Sequence, residues 1–213
     1  QGDWSSDVCS SDLFYFMQVD ADPGSIFVKA DSPLQSVDDV IAAGKKKTLT
    51  VATSRLAHPA SLAMLVLARK TGMKVNLVPL SGGKNTRNGV ATGEVELGVL
   101  PVTSVMTRKG LKVLGLFDEK NAVAERTPGA VLVNTEYQLG IPPLAAGARA
   151  FGIKKAAADK YPDRFDKLVS TGMKVFEDPA YKEAVIKRKA PWALIAPGGR
   201  DACQAYVDNI TAV

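Results

Sequence analysis

Thr48-Leu49-Thr50-Val51-Ala52-Thr53-Ser54-Arg55-Leu56-Ala57-His58-Pro59-Ala60-Ser61-Leu62 is the stretch on which the fold turns. It opens β-rich, passes through small hydroxyl residues, a cation and a histidine, and then reaches Pro59. Proline suits the first position of a helix, where its fixed φ is helical and its missing N–H has no partner to lose. The helix after it carries Leu62, Leu65, Val66 and Leu67 and is too apolar to face water, so it is expected to pack on a sheet. Strand, short loop and helix together make the repeating unit of an α/β protein.

The same alternation runs outward in both directions. Strands are predicted at 25–29, 48–52, 74–79, 95–100 and 112–117. Upstream, Ser36-Val37-Asp38-Asp39 is a capping-box-like helix start leading to Val40 and Ile41, with Gly44 as the stop. Downstream, helices are predicted near 84–91 and 103–109, each directly after a strand. The 118–140 segment, with Pro128, Gly129 and Gly140, reads as a loop. Ile141-Pro142-Pro143 is a rigid break suited to a crossing between domains. Beyond it come a strand at 148–153, helices at 161–171 and from Pro179 (capped by Asp178), a short strand at 191–196 and a last helix at 201–210. The fold class expected is α/β with mainly parallel sheets.

Composition sets the outer bounds. A chain of 213 residues, 46% hydrophobic but only 7% aromatic, holds one large core or two small ones. No run approaches the roughly 18 apolar residues of a membrane helix, so a soluble globular chain is expected. The net charge is +5, and the Lys45–Lys47, Lys154/Lys155 and Lys187–Lys189 clusters lack interleaved aromatics, so an anionic partner is favoured and nucleic acid is not expected. The run Asp3-Trp4-Ser5-Ser6-Asp7-Val8-Cys9-Ser10-Ser11-Asp12-Leu13 reads as the in-frame translation of a sequencing adapter. Residues 1–13 are accordingly taken as a non-native leader, with the biological chain starting near Phe14 and a signal peptide lost upstream. Setting Cys9 aside with that leader leaves Cys203 alone, and no disulfide or cysteine-based metal cluster follows.

Three strand-to-helix junctions carry the candidate chemistry, because ligands of open α/β sheets bind beyond the carboxyl ends of the strands. The first contains Thr53, Ser54, Arg55, His58 and Ser61. Helix N–H groups, the positive end of the helix dipole and these side chains suit a carboxylate or phosphate, although the same residues also read as a plain loop capped by His58. The second, Pro79-Leu80-Ser81-Gly82-Gly83-Lys84-Asn85-Thr86, places a glycine pair where backbone can approach a ligand, or simply makes a tight turn. A phosphate-binding P-loop would need glycine at Val78 and a hydroxyl at Asn85, so a nucleotide triphosphatase is excluded. The third, around Thr103 and Ser104, adds hydroxyls.

Catalytic constellations are lacking. His58 is the only histidine, no Gly-x-Ser-x-Gly is present, and Cys203 lies beside Ala202 and Ala205 on an apolar helix face. The acidic pairs Asp38/Asp39 and Glu94/Glu96 read as structural. No enzyme, metal or cofactor is expected.

Six segments stand along the chain in a telling order: Ser32-Pro33-Leu34-Gln35-Ser36-Val37-Asp38-Asp39-Val40-Ile41, His58-Pro59-Ala60-Ser61-Leu62 and Val78-Pro79-Leu80-Ser81-Gly82-Gly83. They continue with Gly93-Glu94-Val95-Glu96-Leu97-Gly98, Gly110-Leu111-Lys112-Val113-Leu114-Gly115-Leu116 and Glu177-Asp178-Pro179-Ala180-Tyr181-Lys182-Glu183-Ala184. In order and spacing, these segments resemble the substrate-binding proteins of tripartite tricarboxylate transporters. Two departures bear on the ligand: Leu80 replaces the family's aromatic, and Lys84, Asn85 and Arg87 replace mostly small apolar residues.

The resemblance implies a periplasmic-binding-protein-like (type II) fold of two α/β lobes, the first incomplete. Its parts would be a remnant of that lobe with the crossover at 14–30, a second lobe at 31–146 and a return to the first lobe at 147–213. It also implies a monomeric periplasmic receptor that captures a di- or tricarboxylate-like small organic anion for the membrane subunits of a transporter. The ligand would be held by Thr53, Ser54, Arg55, His58, Ser61, Ser81, Gly82, Gly83, Lys84, Asn85 and Thr103, weakly where first-lobe donors are missing. A phosphonate-type receptor of an ABC transporter and the effector-binding domain of a bacterial transcriptional regulator are the alternatives, with a hinge-closed enzyme third.

Overall fold

The computed structural model describes residues 12–213, so most of the adapter-like run lies outside the described residues. Its last residue, Leu13, opens strand β1 (Leu13–Asp20). The chain forms two compact units. One comprises the chain up to Ala21 with Ala148–Asp208, and the other Asp22–Gly147 with Asn209–Val213.

The larger unit is built on a six-stranded sheet. Its strands are β2 (Gly24–Lys29), β3 (Leu49–Thr53), β4 (Val75–Pro79), β5 (Leu97–Pro101), β6 (Leu111–Phe117) and β7 (Val131–Leu132). They lie in the order β4-β3-β5-β2-β6-β7. The β3/β4, β3/β5 and β6/β7 pairings are parallel, while β2 runs antiparallel to both its neighbours. The mainly parallel α/β architecture expected from the sequence is therefore present, with β2 as the reversed strand. The sequence reading placed 14–30 together; the structure puts β2 at the centre of the larger sheet and β1 in the smaller unit.

Helices α1 (Val37–Lys46), α2 (Pro59–Thr71) and α3 (Gly83–Thr92) connect these strands. The core is made by their inward faces and the sheet: Ile26, Val28, Val40, Val51, Met64, Leu67, Leu97, Val99 and Phe117 are all buried. At about 1.5–3 kcal/mol for each large apolar side chain, this burial is the main force holding the loops at the strand ends. The capping box is realised at α1, where Ser36 Oγ accepts from the Asp39 N–H at 3.1 Å and Asp39 Oδ2 accepts from the Ser36 N–H at 2.9 Å. Gly44 is buried within α1 rather than ending it. Glu96 ties β3 to β5: it accepts from the Thr50 N–H at 2.6 Å and the Thr50 hydroxyl at 3.0 Å, and pairs with Lys47. The expected 103–109 helix is only a single 3₁₀ turn, Val102–Ser104, because Asp22 takes both the Thr103 N–H and its hydroxyl and fixes a tight bend there. Within 118–140 the chain adds β7 and a one-turn helix α4 (Val133–Glu136).

The smaller unit has a three-stranded sheet ordered β8-β1-β9, with β8 (Arg149–Lys154) and β9 (Ile195–Gly198) both antiparallel to β1. The unit also holds helices α5 (Lys155–Lys160), α6 (Pro162–Lys174) and α7 (Pro179–Lys187) and most of α8 (Arg200–Thr211), whose last residues fall in the larger unit. Phe165 of α6 seats against Phe14 and Phe16 of β1, with ring centroids 5.5 and 5.2 Å apart. Cys203 is buried and free, its thiol pushed to higher pKa by desolvation. Among the described residues no helix is long and apolar enough to cross a membrane.

Candidate functional site

The β3–α2 junction is an internally satisfied knot. Thr53 and Ser61 are fully buried, and their hydroxyl oxygens lie 2.6 Å apart. Both hydroxyls are also within hydrogen-bonding distance of the Arg55 carbonyl, at 3.1 and 3.2 Å. Two side chains eight positions apart thus fold the backbone into a loop that leaves Ser54 half-buried and turns Arg55 outward. His58 caps α2: its Nδ1 accepts from the Ala60 N–H at 3.3 Å, and its carbonyl accepts from the Ser61 and Leu62 N–H groups. Burial, and then the charge of Arg55, press the His58 pKa down to about 4, against a backbone hydrogen bond with Ala146 that favours the cation. At neutral pH the imidazole is uncharged, and it occupies the helix N-terminus that the sequence offered to an anion.

At the β4–α3 junction the outcome is different. The backbone turns through Ser81 at φ 49° and Gly82 at φ 96°, ψ 159°, a region that a side chain makes costly and glycine tolerates. Gly82 is the N-cap of α3 and supplies no side-chain cap, and the first turn contains no acid. The Thr86 N–H is the first to close on the helix, donating to the Gly82 carbonyl at 3.2 Å. Gly83, Lys84 and Asn85 therefore contribute the first-turn N–H groups that no helix carbonyl accepts. Ser81, Lys84 and Asn85 are exposed, with the Asn85 amide donating back to the Ser81 carbonyl at 3.3 Å.

The two junctions are joined. The Leu80 N–H donates to the Thr53 carbonyl at 2.9 Å and the Gly82 N–H to the Ser54 carbonyl at 3.2 Å. The parallel register of β3 and β4, with Thr53 opposite Pro79, brings both loops to the same sheet edge. Ser54, Arg55, Ser81, Gly82, Gly83, Lys84 and Asn85 consequently form one cluster. Thr103 stands apart from this hydrogen-bond network, with its N–H and hydroxyl both held by the buried Asp22.

Sequence reading gave no role to Asp22, 81 positions from Thr103, and noted Arg87 only as a departure from the family's pattern. The Arg87 guanidinium reaches back over the start of α3, with Nη1 3.3 Å from where a Cβ on Gly83 would stand. Among the described residues no group of three or more His, Cys, Asp or Glu side chains is placed to hold a metal ion.

Residues 7–193 match the protein-family description "Tripartite tricarboxylate transporter family receptor". No curated protein sequence matches the chain. Among solved structures, a TctC solute-binding protein from Polaromonas, determined without ligand, superposes with a TM-score of 0.73 at 19% identity, over 97% of this chain and 69% of that one. A protein of R. palustris solved with adipate gives 0.71 at 16% identity, over 94% and 66% of the two chains. MatC from Rhodopseudomonas palustris with bound malate gives 0.61 at 13% identity, over 94% and 68%. The chain thus spans about two thirds of the length of these proteins, and at such identities the likeness establishes the fold.

Proposed function

Because the chain belongs to the tripartite tricarboxylate transporter receptor family, we propose that it is a periplasmic receptor that binds a small organic anion of the di- or tricarboxylate class. It would deliver that anion to the membrane subunits of a transporter and leave it chemically unchanged. The observation that carries the reading is the uncapped start of α3 beside Arg55 and Lys84. Free N–H groups and the positive helix end together favour a carboxylate, and each hydrogen bond to a charged group contributes roughly 1.5–3 kcal/mol. The adipate and malate held by two proteins of the same fold support a carboxylate ligand.

The residues divide into two roles. Gly83, Lys84 and Asn85 supply backbone N–H donors, Ser54 and Ser81 supply hydroxyls, and Arg55 and Lys84 supply charge. Gly82 lets the backbone come close. Thr53, His58, Ser61 and Thr103 hold the loops from within, since their polar atoms are committed to each other, to backbone or to Asp22. His58 is buried with its Nδ1 accepting from the Ala60 N–H, so its place is that of the cap of α2.

The test is calorimetric titration with a panel of carboxylates, comparing wild type with Lys84→Glu. Lys84 is exposed, and an acid in the first turn complements the helix dipole, so the variant folds at least as stably. It is expected to lose tenfold or more in carboxylate affinity. Unchanged affinity places the ligand elsewhere.

A further inference from the structure

A cavity of about 450 Å³ opens at the end of the larger sheet opposite the candidate site. Leu49, the first residue of β3, lies on its wall, whereas Thr53, the last, leads into the β3–α2 loop. A volume of this size falls in the range of small-molecule sites. Its floor is apolar, with Leu49, Val90 and Val95 buried and Leu34 half-buried. Four charged side chains line it as well, paired as Lys29 with Asp31 at 3.0 Å and Lys47 with Glu96. Glu96 is also held from within the fold, accepting from the Thr50 N–H at 2.6 Å and the Thr50 hydroxyl at 3.0 Å. Its carboxylate therefore keeps its place with or without the exposed Lys47. Lys29 and Asp31 form a solvent-washed pair, so little is lost when a ligand charge takes the place of either partner. The C-cap residues of α1 and α3, Lys47 and Gly93, both line the cavity and bring the negative ends of two helix dipoles to it, which favours a positive ligand group there. The two lysines and two acids themselves sum to zero. A net anion or a net cation seated among them leaves two of the four unanswered, whereas a molecule carrying one charge of each sign answers both kinds.

We infer that this cavity is a second ligand site, for a zwitterionic amino acid with an apolar side chain. Its ammonium group is met by the fixed Glu96 carboxylate beside the C-terminal end of α3, and its carboxylate by Lys29 and Lys47. Its side chain covers Leu34, Val90 and Val95, gaining the apolar contact that water cannot give them. The Ser32 hydroxyl, whose oxygen accepts from the Leu34 N–H at 3.2 Å, keeps its proton to donate at the same wall. The cavity shares no lining residue with the proposed carboxylate site at the start of α3, so either can fail without the other.

The experiment titrates the complete chain with L-leucine, with isoamylamine, which keeps the ammonium and the apolar body, and with 4-methylvalerate, which keeps the carboxylate and the apolar body. Amide chemical shifts locate each compound and give its affinity at the cavity. Leucine is expected to shift Ser32, Val90, Gly93 and Glu96 most, and to bind there at least tenfold more tightly than either single-charge analogue. Lys29→Gln, at a half-exposed position, should melt with wild type yet lose several-fold in leucine affinity. Glu96→Gln keeps an oxygen for Thr50 and removes the charge, so it should bring leucine down to the level of 4-methylvalerate. Equal binding of all three compounds at these residues shows an apolar hollow without charge recognition and overturns the assignment. So does leucine that shifts none of the four amides, or an unchanged leucine affinity in both variants.

Discussion

His58 caps the start of α2 from inside the fold. It is the only histidine in the chain, it is buried, and its ring nitrogen fills the N-cap position of α2. Its folded pKa, about 4, lies below the ordinary 6.5. The unfolded chain therefore binds a proton near pH 6.5 that the folded chain refuses until about pH 4. Stability from this residue is complete above 6.5 and is lost as pH falls through that window toward 4. Urea denaturation is expected to show a midpoint that declines between about pH 7 and pH 5 in wild type. His58→Asn keeps a capping side chain without the titration, and its midpoint should be flatter over the same range. Parallel curves for the two proteins would show that another group titrates there.

At the scale of elements, the loop before α3 depends on Gly82, whose φ of 96° excludes an unstrained side chain. Gly82→Ala is expected to lower stability by about 1–3 kcal/mol, the usual cost of such a conformation. It should also weaken carboxylate binding, because the turn relaxes away from the geometry that aims the α3 N–H groups. Chemical denaturation and calorimetry on the same variant read the two effects. This turn was legible in the sequence from the glycine pair, as α2 was from Pro59. The strands β2, β3, β5 and β6 were legible because apolar runs bounded by turn residues mark strands covered on both faces, and the edge strand β4 from its Val75, Leu77 and Val78. Strand β1 was not, since its apolar residues adjoin the adapter-like run, and β7 is only two residues long. Nor could sequence divide the site residues by role. Thr53 facing Ser61, Asp22 holding Thr103 and Arg87 reaching over Gly83 are side-chain directions that exist only after the sheet has assembled.

At the scale of the whole molecule, the larger unit is built from Asp22 to Gly147, the smaller one takes up the chain again over Ala148–Asp208, and Asn209–Val213 belong to the larger. The smaller unit rests on a lighter apolar base: α6 buries no residue fully, and Phe151, Leu168 and Val175 are exposed. The larger unit holds the extended core and, with it, the rigid sheet edge on which the candidate site is mounted. A site carried by strand ends and helix starts is positioned more tightly than one on free loops, and here two backbone hydrogen bonds lock the two loops to each other. The most direct measurement is an amide chemical-shift map of the complete chain titrated with succinate. The account predicts that the largest shifts fall on Gly83, Lys84 and Asn85, with smaller ones at Ser54 and Arg55, saturating with a single affinity. Shifts centred on the capped start of α2, or confined to the smaller unit, would contradict it.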